Sequence, residues 1–245
     1  MQQGTTQTAR PVFEVAFTFT LIMLAVWSPR PLQDWVSLAA FVWIVLSTVG
    51  IRANRDMMEC SLRGFKRALW IMPTALALAT LQILVARHEQ TLHPPFSNGV
   101  VISRIWGYVI WSFLQQFILQ EYFLLRLLRI VQRPAIAVML SATLFAIAHI
   151  PNPVLTVLTL IWGAAACTLF LRYRDLYSLG FAHAVFGLTI AICVPAAMHH
   201  NMRVGLGYLR YHAHAQRSQM DHKVSTDACV MTDAATRRSC LQARP

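Results

Sequence analysis

Charge is what this sequence has least of. Lys, Arg, Asp and Glu together make up 13% of its 245 residues, and only 10 of those are acidic; soluble domains carry about a quarter charged residues. An ordinary soluble fold is thereby excluded. Internal repeats and low-complexity stretches are also missing, as are the paired interrupted helices of many transporters, which weakens a proton-relay transporter reading. The first apolar run has only Arg10 before it and no small-residue cleavage site after it, so it reads as a retained helix and not a removed signal. Cysteines number five. Cys167 and Cys193 fall inside apolar runs, Cys60 in a loop, and Cys229 and Cys240 in a polar tail. That tail pair could close a disulfide in an oxidising space or remain as two thiols. A cysteine transpeptidase using Cys167 and His183 has no local motif behind it.

What the chain has is apolar sequence: 56% hydrophobic residues and a mean hydropathy of +0.50. Crossing a bilayer as a helix takes about 20 apolar residues. Runs of that kind lie at Val12–Trp27, Trp35–Gly50, Ala68–Ala86, Ile105–Gln120, Pro134–Ile150, Pro153–Leu171 and Leu176–Met198. Only helices or closed barrels satisfy the backbone in lipid, and these runs are too long and even for strands. The expected fold is therefore an all-α polytopic bundle of about seven spans. An eighth, interfacial helix around Met202–Gln216 is a further expectation, since Val204, Leu206, Leu209 and Tyr211 alternate there with Arg203, Arg210 and His214. Residues 1–104 read as three N-terminal helices with their loops, 105–200 as a four-helix core, and 201–245 as a polar tail.

The net charge of +11 does not point to nucleic acid, because the cations sit in short loops where they set topology and meet anionic lipid. Arg52, Arg55, Arg63, Lys66 and Arg67 follow the second run; Arg126, Arg129 and Arg133 follow the fourth; Arg172 and Arg174 follow the sixth. The alternate loops hold few cations. The positive-inside rule makes the rich loops cytoplasmic, with the N-terminus inside and the tail outside. A bacterial inner membrane is the expected location.

Against this background, ionisable groups within the runs stand out. Each costs roughly 2.5–3.5 kcal/mol on insertion scales and is a functional hypothesis by default. The fourth run ends in Gln115, Gln116, Gln120 and Glu121. Gln116 and Gln120 are four apart and share a helix face, with Glu121 turned about 100° from Gln120. Such a stripe must face protein or a wet cavity; the glutamines could equally bond neighbouring helices as packing glue. The fifth run ends Phe145-Ala-Ile-Ala-His149, an i,i+4 pair that seats the ring beneath the imidazole, and Pro151-Asn152-Pro153 then forces a rigid turn. His183 lies in the seventh run. A carboxylate and one or two neutral imidazoles can hold a water and remove its proton. The same ligand types can bind zinc, so both routes to an activated water are open and a metal is possible without being required.

These residues, in this order, resemble the CAAX protease and bacteriocin-processing family of intramembrane proteases (CPBP, also called Abi), marked by EExxxR, FxxxH and HxxxN on successive core helices. Glu121 and Arg126 keep the ends of the first motif, Phe145 and His149 complete the second, and His183 opens the third. The resemblance covers about residues 106–191 and implies that Glu121 and His149 activate water while His183 helps to hold the oxyanion. Two positions depart from it: Tyr122 stands for the second Glu, and Gly187 for the Asn that would be the other oxyanion donor. Losing one such donor typically costs about 10²–10³ in rate. Asn152, just after His149, is a candidate replacement. Arg126 also reads as a cation snorkelling toward the interface.

The resemblance implies an intramembrane endopeptidase that cleaves a peptide or membrane-tethered protein near the cytoplasmic face, with membrane lipid as its other partner. The alternative is a catalytically impaired protein on the same fold, acting as immunity factor or scaffold, and Tyr122 and Gly187 favour it. Depth is the point of tension. At about 1.5 Å per residue from the basic loops, Glu121 and His183 lie about 12 Å deep and His149 about 24 Å. The three meet only if the fifth span tilts or starts deeper than Pro134.

Overall fold

A computed structural model describes residues 3–52, 62–92 and 101–211. The described residues are helical, with no strands. The long elements are α1 (Gln3–Trp27), α2 (Leu32–Arg52), α3 (Leu62–Ala68), α4 (Ile71–His88) and α5 (Val101–Phe117). Then follow a π-helical segment (Ile118–Leu124), α6 (Leu125–Val131), α7 (Pro134–Ile147), α8 (Pro153–Tyr173), α9 (Tyr177–Cys193) and the short α10 (Ala196–His199). A turn joins α3 to α4, and α5 runs through the π segment into α6 without a break, so several of these elements form continuous rods among the described residues.

Among the described residues, four stretches are long and apolar enough to cross a membrane: Ala9–Trp27, Leu32–Val49, Gly64–His88 and Pro153–Tyr173. Pro134–Ile147 and Tyr177–Cys193 are shorter apolar helices, and the fifth-run helix stops at Ile147, three residues before the expected end. The outer surface is apolar where a soluble protein would be polar: Trp35 is 69% exposed and Ile110 67%. Exposed apolar surface on this scale marks contact with lipid or protein.

Local chemistry sets the ends of the core helices. Pro134 and Pro153 occupy first-turn positions of α7 and α8, where a missing N–H costs nothing. Asn152 caps α8 by accepting from the Leu155 N–H at 3.2 Å. Buried Asp175 accepts from the N–H groups of Tyr177 and Ser178, both at 3.1 Å, at the start of α9. Left-handed Gln132 and Arg174 close α6 and α8. The helices then pack α1 on α2 and α6, α7 on α8, and α9 between α4 and α5, with the π segment against α7 and α8.

Arg126 is not a snorkelling loop cation. It is 1% exposed and bonds Glu14 of α1 through Nε at 2.7 Å. Its guanidinium lies 3.5 Å from the centroid of the Tyr122 ring and donates to the Tyr122 carbonyl at 3.2 Å. Tyr122 closes a ring of hydroxyls between helices. Trp43 Nε1 donates to Thr18 Oγ1 (2.9 Å), Thr18 donates to the Tyr122 hydroxyl (2.7 Å), Tyr122 and Ser47 share a bond of 3.1 Å, and Ser47 donates to the Trp43 carbonyl (2.7 Å). The residue in place of the family's second Glu therefore bolts the π segment to α1 and α2.

Of the expected interfacial helix, residues 205–211 are helical, Met202 ends a 3-10 turn and 203–204 are not helical; residues 212–216, like the tail with Cys229 and Cys240, lie outside the described residues, and so does Cys60. Cys167 and Cys193 are buried free thiols.

Removing one partner of a buried ion pair strands the other charge and typically costs about 3–5 kcal/mol. Glu14→Gln should lower stability by about that much in a denaturant titration in mixed micelles. Arg10→Gln should cost less than about 1 kcal/mol, because Arg10, which also pairs with Glu14 at 2.9 Å, keeps a side chain 64% exposed. Equal losses in the two variants would show that the Glu14–Arg126 pair does not anchor α1.

Candidate active site

The π segment carries the first motif. Its backbone is wound one residue wider than an α-helix, and at its end the Leu125 N–H reaches the Gln120 carbonyl, five residues back. Single π-helical turns of this kind are frequent at functional sites. Here the widening falls on Gln120, Glu121 and Tyr122, so the 100° step expected between Gln120 and Glu121 does not apply. Glu121 is buried on this segment, which packs against the helices on either side of the His149 turn.

The two histidines come together. His149 follows α7 in a turn, and His183 sits in the middle of α9. Both rings pack on Phe145, with centroids 4.8 Å (His149) and 5.9 Å (His183) from it, in edge-to-face geometry. Trp162 of α8 flanks His183 at 6.2 Å. The depth difference expected between His149 and His183 does not keep them apart, because one phenyl ring serves both. They line a cavity of about 580 Å³ together with Phe145, Trp162, Gln115, Tyr108 and Gly187. Glu121 is not among its lining residues.

Hydrogen bonds fix which nitrogen of each imidazole faces outward. The Nδ1 of His149 lies 2.7 Å from the Phe145 carbonyl. A carbonyl only accepts, so Nδ1 carries the proton and the neutral ring presents Nε2 as an acceptor. On the other side, Gln120 Nε2 donates to Gln116 Oε1 at 2.7 Å, and Gln116 Nε2 donates to His183 Nδ1 at 2.7 Å. His183 therefore presents Nε2–H as a donor. One histidine can accept a proton, and the other can donate a hydrogen bond. Gln116 and Gln120, which share a helix face through their four-residue spacing, form the hydrogen-bonded chain that sets the His183 tautomer.

Asn152 is not free to serve the site. It is fully buried, and its Nδ2 donates to the carbonyls of His199 (2.7 Å) and Arg203 (3.0 Å) while its oxygen caps α8. Both amide protons are engaged in holding the turn after His149, which makes it a brace and not a replacement donor. Among the described residues, no group of three His, Cys, Asp or Glu side chains is placed to hold a metal ion.

Sequence reading missed Glu14, Thr18 and Ser47, which anchor the first motif from α1 and α2, and Trp162 and Tyr108 in the cavity wall. Glu14 had a usable signal: a carboxylate inside the first apolar run is as costly as Glu121. The others are common residues in helices and carry none.

Nitrogen-15 spectra of histidine-labelled protein in micelles should show opposite tautomers, with the proton on Nδ1 for His149 and on Nε2 for His183. Gln116→Leu should scramble the His183 tautomer and leave His149 unchanged. The same tautomer at both rings would refute the division of labour.

No curated protein and no solved structure gives a significant match to this chain. A family model does match, over residues 97–189, the stretch that carries Glu121, Arg126, Phe145, His149 and His183. That match supports a membrane endopeptidase, and it agrees with the resemblance carried by the three motifs: across this core the chain is similar to the family described as Type II CAAX prenyl endopeptidase Rce1-like.

Proposed function

We propose that this chain is an intramembrane peptide hydrolase in which Glu121 and His149 hold and deprotonate a water and His183 stabilises the oxyanion. The substrate is a membrane-associated peptide or protein, entering near the cytoplasmic face. The observation that carries the reading is the opposed commitment of the two Nδ1 atoms, one donating to Phe145 and the other accepting from Gln116. An acceptor and a donor packed on one ring are what water activation and oxyanion binding require. The reading needs no metal. Its base, Glu121, is supported by its place in the first motif and by the packing of its π segment against α7 and α8.

The second reading, an immunity factor or scaffold without catalysis, is favoured by Tyr122, whose hydroxyl is engaged by Thr18 and Ser47 and offers nothing to a substrate. The two readings differ in what survives loss of the histidines. A scaffold keeps its function in a His149→Ala, His183→Ala double variant, and an enzyme does not.

The full chain, reconstituted in phospholipid vesicles with a mixed-sequence pool of quenched, lipid-anchored peptides, should release fluorescent product. Glu121→Gln should lower the rate by about 10²–10⁴, the usual contribution of a general base. Cleavage that persists at the wild-type rate in Glu121→Gln would remove Glu121 from the mechanism.

A further inference from the structure

On α9 the third motif lacks its Asn, and Gly187 leaves a gap one turn from His183. The gap is filled. A β-carbon built on Gly187 would overlap the Tyr108 hydroxyl outright and stand 2.6 Å from Tyr108 Cζ and 2.8 Å from Cε1. Tyr108, on α5, therefore delivers its phenol oxygen into the volume where a side chain at position 187 would begin. Residues four apart on a helix share a face, their β-carbons about 5–6 Å apart, so this hydroxyl lies on the same face of α9 as His183. Tyr108, His183 and Gly187 all line the one cavity.

A second contact shows that the hydroxyl is more than filler. Seven residues earlier on α9, Gly180 receives the ring of Phe113, whose Cδ1 would stand 2.6 Å from a β-carbon there. The two glycines accept two rings from α5 in the same way. Phe113, which does not line the cavity, carries no hydroxyl; Tyr108, which does, carries one. Close packing alone is met by phenylalanine. A phenol at the cavity adds a donor.

We infer that Tyr108 is the second oxyanion donor of this site, exchanged for the side chain that Gly187 lacks; the inference rests on the hydrolase reading above. In the step it assists, the oxygen of a water attacks the scissile carbonyl carbon as Glu121 takes the water's proton. A C–O bond forms, and the carbonyl π pair moves onto oxygen, where His183 Nε2–H and the Tyr108 O–H donate hydrogen bonds. When that pair returns, the C–N bond breaks and the amine leaves with the proton held by Glu121, giving an acid and an amine from a peptide and a water. The exchange also explains why the two positions depend on each other: any side chain at 187 evicts the phenol.

The test uses the full chain in the same vesicles and peptide pool. Tyr108→Phe keeps the ring in the Gly187 gap and removes only the donor, so kcat should fall about 10²–10³ with KM within about threefold and an unchanged melting temperature. Tyr108→Ala/Gly187→Asn, which clears the gap and supplies an amide, should be at least about tenfold faster than Tyr108→Ala. Tyr108→Phe at more than half the wild-type kcat, or a double variant no faster than Tyr108→Ala, overturns the assignment. The parent reading fails separately: a wild-type chain with no Glu121-dependent cleavage overturns the hydrolase and this donor with it, whereas Glu121-dependent cleavage that ignores Tyr108→Phe overturns the donor alone.

Discussion

A charge inside an apolar bundle must find its counter-charge or be expelled, and the Arg126–Glu14 pair is where this molecule meets that demand. The guanidinium is 1% exposed, bonded to Glu14 at 2.7 Å and laid over the Tyr122 ring. Isolated buried charges cost several kcal/mol each, and an ion pair offsets this only when the geometry is close. Arg126 thus ties α1 to the rod that carries Glu121. The hydroxyl ring through Trp43, Thr18, Tyr122 and Ser47 adds α2 to the same joint. The two N-terminal helices, which look like generic spans, are the outer support of the site.

From that joint the polar chain runs inward. The π turn carries Gln120 next to Glu121, and Gln120 passes its hydrogen bond to Gln116 and so to His183. His149 is set independently, by the carbonyl of the residue four before it and by the braced turn at Asn152. Two unrelated devices, one local to the end of α7 and one between α5 and α9, therefore leave the two imidazoles in opposite tautomers on one phenyl ring. Preorganised donors and acceptors need no rearrangement during a reaction, which is where most electrostatic catalysis arises.

Tyr122 and Gly187, the two departures from the family pattern, have different physical consequences. At position 122 the change turns a carboxylate into a phenol that is absorbed by structure. At position 187 it opens space, and a ring from another helix occupies it. A motif read along one helix registers both only as departures, because the atoms that meet positions 122 and 187 belong to α1, α2 and α5.

The sequence by itself determined the class of molecule: hydropathy runs, scarce charge and the backbone's need for internal hydrogen bonds leave a helical membrane bundle. It also placed Phe145 beneath His149 and Gln116 beside Gln120, since four-residue spacing is a local property of a helix. It could not determine the partner of Arg126, which lies 112 residues away, or the π register at Glu121, or the Tyr108 hydroxyl in the Gly187 gap. Those depend on which helix faces come together, and periodicity along one helix says which face is polar or small without saying what will meet it. Tertiary packing decided the His183 tautomer for the same reason: that imidazole took its proton position from Gln116 on another helix, whereas His149 took its own from the Phe145 carbonyl four residues back.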